Sequence, residues 1–104
     1  MHWLTLATAI VFEVAGTTSM KLSDGFTKLW PSVAIFVCYA VAFTMLTLTL
    51  RTMGVGMAYA IWSGVGTVAT AIIGYTLFNE PMSAMKIACI GLVTLGVVGL
   101  MLAD

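Results

Sequence analysis

One glutamate stands inside an otherwise uncharged run of apolar and small residues, "LATAIVFEVAGTTSM". Glu13 follows Trp3 by ten residues, which is about 15 Å along a helix and near the middle of a hydrocarbon core about 30 Å thick. A charged side chain at that depth costs at least about 2.5 kcal/mol, so such residues usually serve an ion or substrate path. The alternatives are an ion pair with another helix, or a protonated carboxyl that donates a hydrogen bond. The basic residues all fall at predicted helix ends, which argues against the ion pair: Lys21, Lys28, Arg51 and Lys86.

Aromatic side chains on two further helices could complete a cation site around this carboxylate. One face of "AYAIWSGVG" carries two rings, a hydroxyl and a glycine: Tyr59, Trp62, Ser63 and Gly66. The second predicted helix presents three rings at helical spacing: Phe36, Tyr39 and Phe43. Aromatic residues at helical spacing more often form a packed core than a ligand site. Tyrosine and tryptophan of membrane helices, however, normally lie at the membrane interfaces, whereas Tyr39, Tyr59 and Trp62 are predicted to lie deeper. A carboxylate among ring faces would attract a lipophilic cation through Coulomb energy at low dielectric and cation–π contact.

Small residues occupy the positions one turn away from Glu13, namely Ala9, Gly16 and Thr17. They could leave space around the carboxylate for a ligand, or they could let two helices approach closely. The sequence pattern leaves both interpretations open.

The amino-acid composition indicates whether the predicted helices lie in water or in a lipid bilayer. Of the 104 residues, 62% are hydrophobic and only 8% are charged, whereas a soluble domain carries about a quarter charged residues. Four apolar runs, at approximately residues 3–20, 31–50, 56–78 and 84–103, are long enough to cross a bilayer as helices. We predict an all-α membrane protein whose residues 1–104 form a single four-helix transmembrane domain.

Other functional classes find little support in the sequence. Four acids balance four bases, so no basic patch is available for nucleic acid. The glycines of "SGVG" lie inside an apolar helix rather than in a phosphate loop, and His2 stands alone at the terminus. Cys38 and Cys89 show no metal-ligand spacing and are predicted to be small buried apolar side chains. We therefore predict no enzymatic activity, no metal and no cofactor.

Four helices of this length could hardly enclose a path for a solute, so we predict an oligomer. The loops on one side hold Lys21, Lys28 and Lys86 and the other side holds Arg51, which gives a weak orientation bias towards both termini outside. Two copies in opposite orientations would form the inverted repeat that many transporters carry within one chain. A seam of small residues at seven-residue spacing on the fourth helix is the predicted dimer contact: Cys89, Gly96 and Ala103.

Three stretches resemble the small multidrug resistance family of four-helix, proton-coupled exporters: "FEVAGTTSMKLSDGFTKLWPS", "AYAIWSGVG" and "NEP". The resemblance covers essentially the whole chain. It implies that Glu13 binds both protons and substrate, that Tyr59 and Trp62 line the site, and that the functional unit is an antiparallel, dual-topology homodimer in the inner membrane.

Two branches of that family differ next to the glutamate. The guanidinium exporters typically carry Trp at the position of Gly16 and Ser at the position of Ala42. This chain instead resembles the multidrug branch, as it also does at Tyr39, and Gly16 is expected to open volume beside Glu13 for bulky quaternary ammonium ions. It departs from that branch at Trp3, which bears on substrate preference, and at Cys89, which bears on the dimer contact.

The predicted function is an antiporter in which a proton and a hydrophobic cation compete for Glu13, with protons as the coupling ion. Gly64 and Gly66 are the predicted bending point of the third helix. The remaining predicted substrate-binding residues surround the glutamate: Trp3, Gly16, Thr17, Tyr39, Phe43, Tyr59, Trp62 and Ser63. The alternatives are a guanidinium or polyamine exporter of the same family, including an obligate heterodimer, and a non-transporting membrane assembly partner.

Overall fold

The computed structural model describes residues 2–103, which form four helices: α1 (His2–Leu22), α2 (Leu29–Thr49), α3 (Val55–Leu77) and α4 (Ala84–Ala103). All four are long and apolar enough to cross a membrane, and no strand occurs within this range. The predicted all-α, four-helix membrane architecture is therefore confirmed. The first helix continues two residues past its predicted end and the second begins two residues earlier, because the turn between them is shorter than the polar stretch in the sequence.

That turn reverses the chain with three consecutive left-handed residues. Asp24, Gly25 and Phe26 have φ values of 48°, 69° and 68°. The buried Ser23 holds the turn together, since its hydroxyl donates to the Met20 carbonyl at 2.8 Å and accepts from the Phe26 N–H at 3.2 Å. Helices α1 and α2 consequently run antiparallel in direct contact.

Helix α1 lies at the centre of the packing, with contacts to both α2 and α3, while α3 also contacts α4. Its buried residues Leu6, Ile10 and Val14 are four residues apart and meet Ala58 and Ile61 of α3. In the most apolar 18-residue stretch of α1, 28% is buried within the protein, whereas the corresponding share in α4 is only 6%. Helix α4 is therefore peripheral in the single chain, and most of its surface is free to contact lipid or another protein.

A hydroxyl pair joins α1 to α2 at the other end of the bundle. Thr49 is fully buried, and its Oγ1 lies 2.7 Å from the Oγ1 of Thr5. Hydrogen bonds between membrane helices contribute about 0.6 kcal/mol on average, so this pair fixes the register of the two helices more than it stabilises them.

The two glycines predicted as a bending point lie where α3 meets other helices. A Cβ at Gly64 would collide with Cγ2 of Val97 on α4, and a Cβ at Gly66 would lie 3.1 Å from Oε2 of Glu13 on α1. Helix α3 runs without interruption through both positions. The absence of side chains here therefore permits close approach of neighbours, and the bending role stays a prediction.

The small residues of α4 lie on its uncovered surface. Cys38 is half-buried, but Cys89 is exposed, so the prediction that both thiols are buried is wrong for Cys89. The physical reason is that α4 has too few neighbours within one chain to cover it. Gly96 and Ala103 are exposed too, and a Cβ at Gly96 would meet no neighbouring atom within 4 Å. The predicted dimer seam is thus available for a second chain, and its use in a dimer remains a prediction.

The contact between α3 and α4 can be tested at Gly64. We expect Gly64→Ala to lower the free energy of unfolding by about 1 kcal/mol, because the added methyl overpacks the contact with Val97. Thermal unfolding in detergent would measure the effect. Gly56→Ala on the same helix is the control, since a Cβ there meets nothing within 4 Å. Equal unfolding temperatures for the two variants would contradict the proposed contact.

Candidate functional site

The Glu13 carboxylate lies between α1 and α3 with its two oxygens in different surroundings. Oε1 accepts a hydrogen bond from the Thr17 hydroxyl, one turn further along α1, at 3.3 Å. Oε2 is buried beside Gly66 and has no hydrogen-bond partner among residues 2–103. A buried polar atom without a partner is uncommon in folded proteins. One carboxylate oxygen is therefore held by Thr17, while the other is enclosed against α3 without a hydrogen-bond donor from this part of the chain.

A chain of hydroxyl groups extends from this carboxylate to α2. Thr17 Oγ1 lies 2.7 Å from the hydroxyl of Tyr39. A threonine hydroxyl has a single hydrogen, so when it donates to Glu13 it must accept from Tyr39. The resulting chain, from the Tyr39 hydroxyl to Thr17 and on to Glu13, couples the position of α2 to the carboxylate without placing a charge beside it.

Glu13 opens into a cavity of about 510 Å³ along α3. That volume falls within the range of small-molecule sites. Most of its wall consists of α3 residues three or four positions apart, which is the spacing of one helix face. The lining residues are Glu13, Thr17, Tyr59, Trp62, Ser63, Gly66, Thr67, Thr70, Ala71 and Glu80.

Four aromatic rings form a continuous row beside the cavity. The Tyr59 and Trp62 rings are 5.3 Å apart and nearly perpendicular, and Phe43 of α2 meets Trp62 edge-on at 5.8 Å. Tyr39 stacks on Phe43 at 6.0 Å. The indole Nε1 of Trp62 is buried without a hydrogen-bond partner among residues 2–103. The row supplies ring faces and edges on two helices, which suits a ligand with a large apolar surface.

Two hydroxyl groups of the cavity wall, those of Ser63 and Thr67, use their hydrogens within their own helix. Ser63 donates to the Tyr59 carbonyl at 2.8 Å, and Thr67 donates to the Ser63 carbonyl at 2.7 Å. With those hydrogens engaged, the hydroxyls offer only oxygen lone pairs to a ligand. Lone pairs attract a positive charge, so these two positions favour a cation and make few directional demands on it.

The structure brings part of the predicted site together. Five of the predicted residues line one cavity: Glu13, Thr17, Tyr59, Trp62 and Ser63. Tyr39 and Phe43 join them through the hydroxyl chain and the ring row described above. The predicted bending residue Gly66 also lines the cavity.

Two predicted substrate-binding residues lie elsewhere. A Cβ at Gly16 would meet Cβ of Cys38 and a ring carbon of Tyr39, each at 3.3 Å. The expected open volume at Gly16 is thus filled by α2, which packs onto α1 at this glycine. Trp3 lines a separate, almost wholly apolar groove of about 370 Å³. Ten residues at 3.6 per turn place Trp3 about 80° around the helix from Glu13, so the two side chains leave α1 in different directions.

Four residues that line the cavity were not predicted from the sequence: Thr67, Thr70, Ala71 and Glu80. The first three continue the helical spacing that begins at Tyr59 and Trp62, so extending that period by two turns would have identified them. Glu80 follows the end of α3, and no periodic pattern indicates that its side chain returns to the cavity.

The chain thus combines four helices that are long and apolar enough to cross a membrane with a carboxylate-bearing cavity formed by α1, α3 and the loop after α3. A family model described as Small Multidrug Resistance protein matches residues 1–93. Membrane protein YvaE of Bacillus subtilis is 50% identical over 104 residues, which cover 100% of this chain and 87% of that protein.

Two further relatives carry functional names. The multidrug resistance protein EbrB of Bacillus subtilis is 50% identical over 95 residues, which cover 91% of this chain and 81% of EbrB. The quaternary ammonium compound-resistance protein QacG of a Staphylococcus species is 40% identical over 98 residues, which cover 94% of this chain and 92% of QacG. The chain belongs to the small multidrug resistance protein family, as the sequence predicted. It is a multidrug efflux transporter and a multi-pass protein of the plasma membrane.

The hydroxyl chain can be tested by removing its outermost member. We expect Tyr39→Phe to weaken the binding of a benzyl-substituted quaternary ammonium ion by up to about fivefold, since a neutral hydrogen bond contributes about 1 kcal/mol. Isothermal titration calorimetry would measure the affinity. Tyr75→Phe serves as the control, because Tyr75 is exposed on α3 and lies outside this cavity. If both variants bind the cation equally well, Tyr39 does not act through Thr17 on the carboxylate.

Proposed function

We propose that this protein is a proton-coupled antiporter that exports hydrophobic and quaternary ammonium cations, with protons and substrate competing for Glu13. The observation that carries the proposal is a single cavity lined by Glu13 and by the rings of Tyr59 and Trp62. Among residues 2–103, Oε2 of this glutamate has no hydrogen-bond partner. The name of QacG, a quaternary ammonium compound-resistance protein, agrees with this substrate class.

The site can bind a bulky cation through charge and apolar contact together. At an effective dielectric constant of about 20, opposite unit charges about 4 Å apart attract by about 4 kcal/mol. Apolar groups of the cation gain roughly 25 cal/mol for each Å² that the rings remove from water. A quaternary ammonium ion has no N–H group, so it loses no hydrogen bond when it enters a wall of lone pairs and ring faces. Guanidinium is small and carries little apolar surface, so in a cavity of about 510 Å³ it would gain less from contact with the rings than a bulky quaternary ion does.

Competition between a proton and the substrate for the Glu13 carboxylate would couple substrate export to proton entry. A protonated Glu13 has no charge with which to hold a cation, and a bound cation disfavours the proton. Protons that enter from the acidic side would therefore release substrate there, and substrate entering from the cytoplasm would release protons. Each pH unit of gradient supplies about 1.4 kcal/mol per proton. Alternating access would come from bending of α3 at Gly64 and Gly66.

A second copy of the chain in the opposite orientation completes the proposal. The cavity side of the single chain leaves large rings uncovered, with Tyr59 58% and Phe43 51% exposed. The small-residue seam of α4 is uncovered as well. An antiparallel homodimer would cover both surfaces and bring two Glu13 carboxylates to one site. The nearly balanced loop charges favour insertion in both orientations.

Reconstituted liposomes with a proton gradient test the antiport directly. Wild-type protein should carry a current of a benzyl-substituted quaternary ammonium ion and release protons when it binds that ion at constant pH. Glu13→Gln should abolish both signals, because the amide cannot ionise. Glu13→Asp should retain binding with an altered pH dependence, since the carboxylate remains but lies closer to α1. Lowering the pH should weaken cation binding to the wild type, as protons compete for the same oxygen.

The same assay separates the alternatives. A strong guanidinium current with none from the quaternary ion would contradict the proposed substrate class and favour a guanidinium exporter. Transport that requires a second, similar chain would favour an obligate heterodimer. No current from any cation, together with unchanged cation binding in Glu13→Gln, would favour a non-transporting assembly partner.

The dimer contact is tested at Gly96. We expect Gly96→Leu to shift detergent-solubilised protein from dimer towards monomer by about tenfold or more, because a bulky side chain holds two backbones apart at the seam. Analytical ultracentrifugation would report the equilibrium. Gly99→Leu is the control, since Gly99 is equally free of neighbours but lies off the seam. Equal dimer stability in both variants would refute the assignment of this face.

A further inference from the structure

A second carboxylate reaches the Glu13 cavity from the loop between α3 and α4. Glu80 lines the same cavity of about 510 Å³ as Glu13. A Cβ at Gly74 would lie 2.5 Å from its Oε1, so the carboxylate rests directly against the last turns of α3. The proposed antiport mechanism assigns no role to this group.

The local backbone holds Glu80 in this position. Asn79 has a left-handed φ of 54°, a conformation that commonly ends helices and that asparagine tolerates. The turn brings the Glu80 N–H back to the Gly74 carbonyl at 3.0 Å, while the same carbonyl accepts from Phe78 at 3.2 Å. Pro81 follows and cannot continue a helix. Backbone and side chain of Glu80 are therefore both placed against Gly74.

The carboxylate is available to a ligand. Within residues 2–103, the Glu80 carboxylate accepts no hydrogen bond and makes no ion pair. Two lysines lie nearby: Lys21 lines a smaller cavity that it shares with Glu80, and Lys86 donates from Nζ to the Pro81 carbonyl at 2.9 Å. Neither amine neutralises the acid directly.

The separation of the two carboxylates follows from the glycines that they touch. Gly66 contacts Glu13 and Gly74 contacts Glu80, and eight residues of α-helix span about 12 Å. One cavity therefore presents two negative groups about 12 Å apart along its length, with the helix face of Thr67, Thr70 and Ala71 between them.

We propose that Glu80 is a second cation-contacting residue of this cavity and that it adapts the site to dications whose charges lie about 12 Å apart. The proposal rests on the proposed function at Glu13 and deepens it. One quaternary nitrogen lies at Glu13 among the rings, and the other lies at Glu80 near the membrane surface. A monocation uses Glu13 alone.

Matched ligands and matched variants test this assignment. The dication is octane-1,8-bis(trimethylammonium), whose nitrogens are about 11 Å apart when the chain is extended. Octyltrimethylammonium has the same chain with one charge. A bis(trimethylammonium) with a two-carbon linker has both charges too close together to reach both carboxylates. Affinities are measured by calorimetry on the purified full-length protein, for wild type, Glu80→Gln and Asp24→Asn.

Asp24→Asn controls for general surface charge. Asp24 is exposed in the α1–α2 turn, on the same side of the bundle as Glu80, and does not line the cavity. Its left-handed φ of 48° suits asparagine. We expect Glu80→Gln to weaken the eight-carbon dication by up to about fivefold, as for a solvent-accessible ion pair. Octyltrimethylammonium and the two-carbon dication should change by less than about twofold, and Asp24→Asn should leave all three affinities unchanged.

The outcomes separate the two proposals. Equal losses for all three ligands in Glu80→Gln, an unchanged affinity for the eight-carbon dication, or the same loss in Asp24→Asn would each overturn the role of Glu80. In any of these cases, monocation binding that Glu13→Gln abolishes would leave the proposed function standing. Monocation binding that survives in Glu13→Gln would instead contradict the proposed function itself.

Discussion

The structure depends on one constraint: a carboxylate lies at mid-depth in a membrane helix without a base to neutralise it. Water solvates such a group poorly there, so neighbouring protein atoms must hold it. Thr17 binds one oxygen through a neutral hydroxyl, and Gly66 lets the other approach the backbone of α3. Neither contact supplies a positive charge. The Glu13 carboxylate is therefore positioned by neutral contacts alone within residues 2–103, and under the proposed function a proton or a cation occupies the remaining space beside it.

Helix α3 supplies most of what surrounds that charge. It contributes the rings of Tyr59 and Trp62, the hydroxyl wall, and the glycines on which both carboxylates rest. It also contacts α1 on one side and α4 on another. Any rotation or bend of α3 would therefore change the cavity and the α4 contact together. Helix α4 does not line the cavity and keeps most of its surface uncovered, so assembly through α4, as proposed, would be separate from ligand binding within a chain of 104 residues.

The sequence predicted those features that depend on composition and helical period. Four apolar runs located the helices, and Glu13 was recognisable because no other charge lies within its run. The spacing of Tyr59, Trp62 and Ser63 placed them on one face, which the structure turns towards Glu13. Features that depend on which neighbour covers a face could not be predicted in the same way. Gly16 was expected to border open space, but α2 packs there. Cys89 was expected to be buried, but α4 has few neighbours within one chain. Glu80 reaches the cavity through a left-handed turn at Asn79, which no periodic pattern reveals.

The hydroxyls of Ser63 and Thr67 donate to carbonyls of their own helix, and this has a consequence for how such a protein evolves. At these two positions the polar hydrogens are already engaged, so this part of the wall does not select ligands by their hydrogen-bonding pattern. Selection by toxic compounds would act on side-chain bulk at positions such as Thr70 and Ala71, where a methyl group gained or lost reshapes the wall. The breadth of resistance would then widen or narrow through single substitutions that leave Glu13, and with it the proposed proton coupling, unchanged.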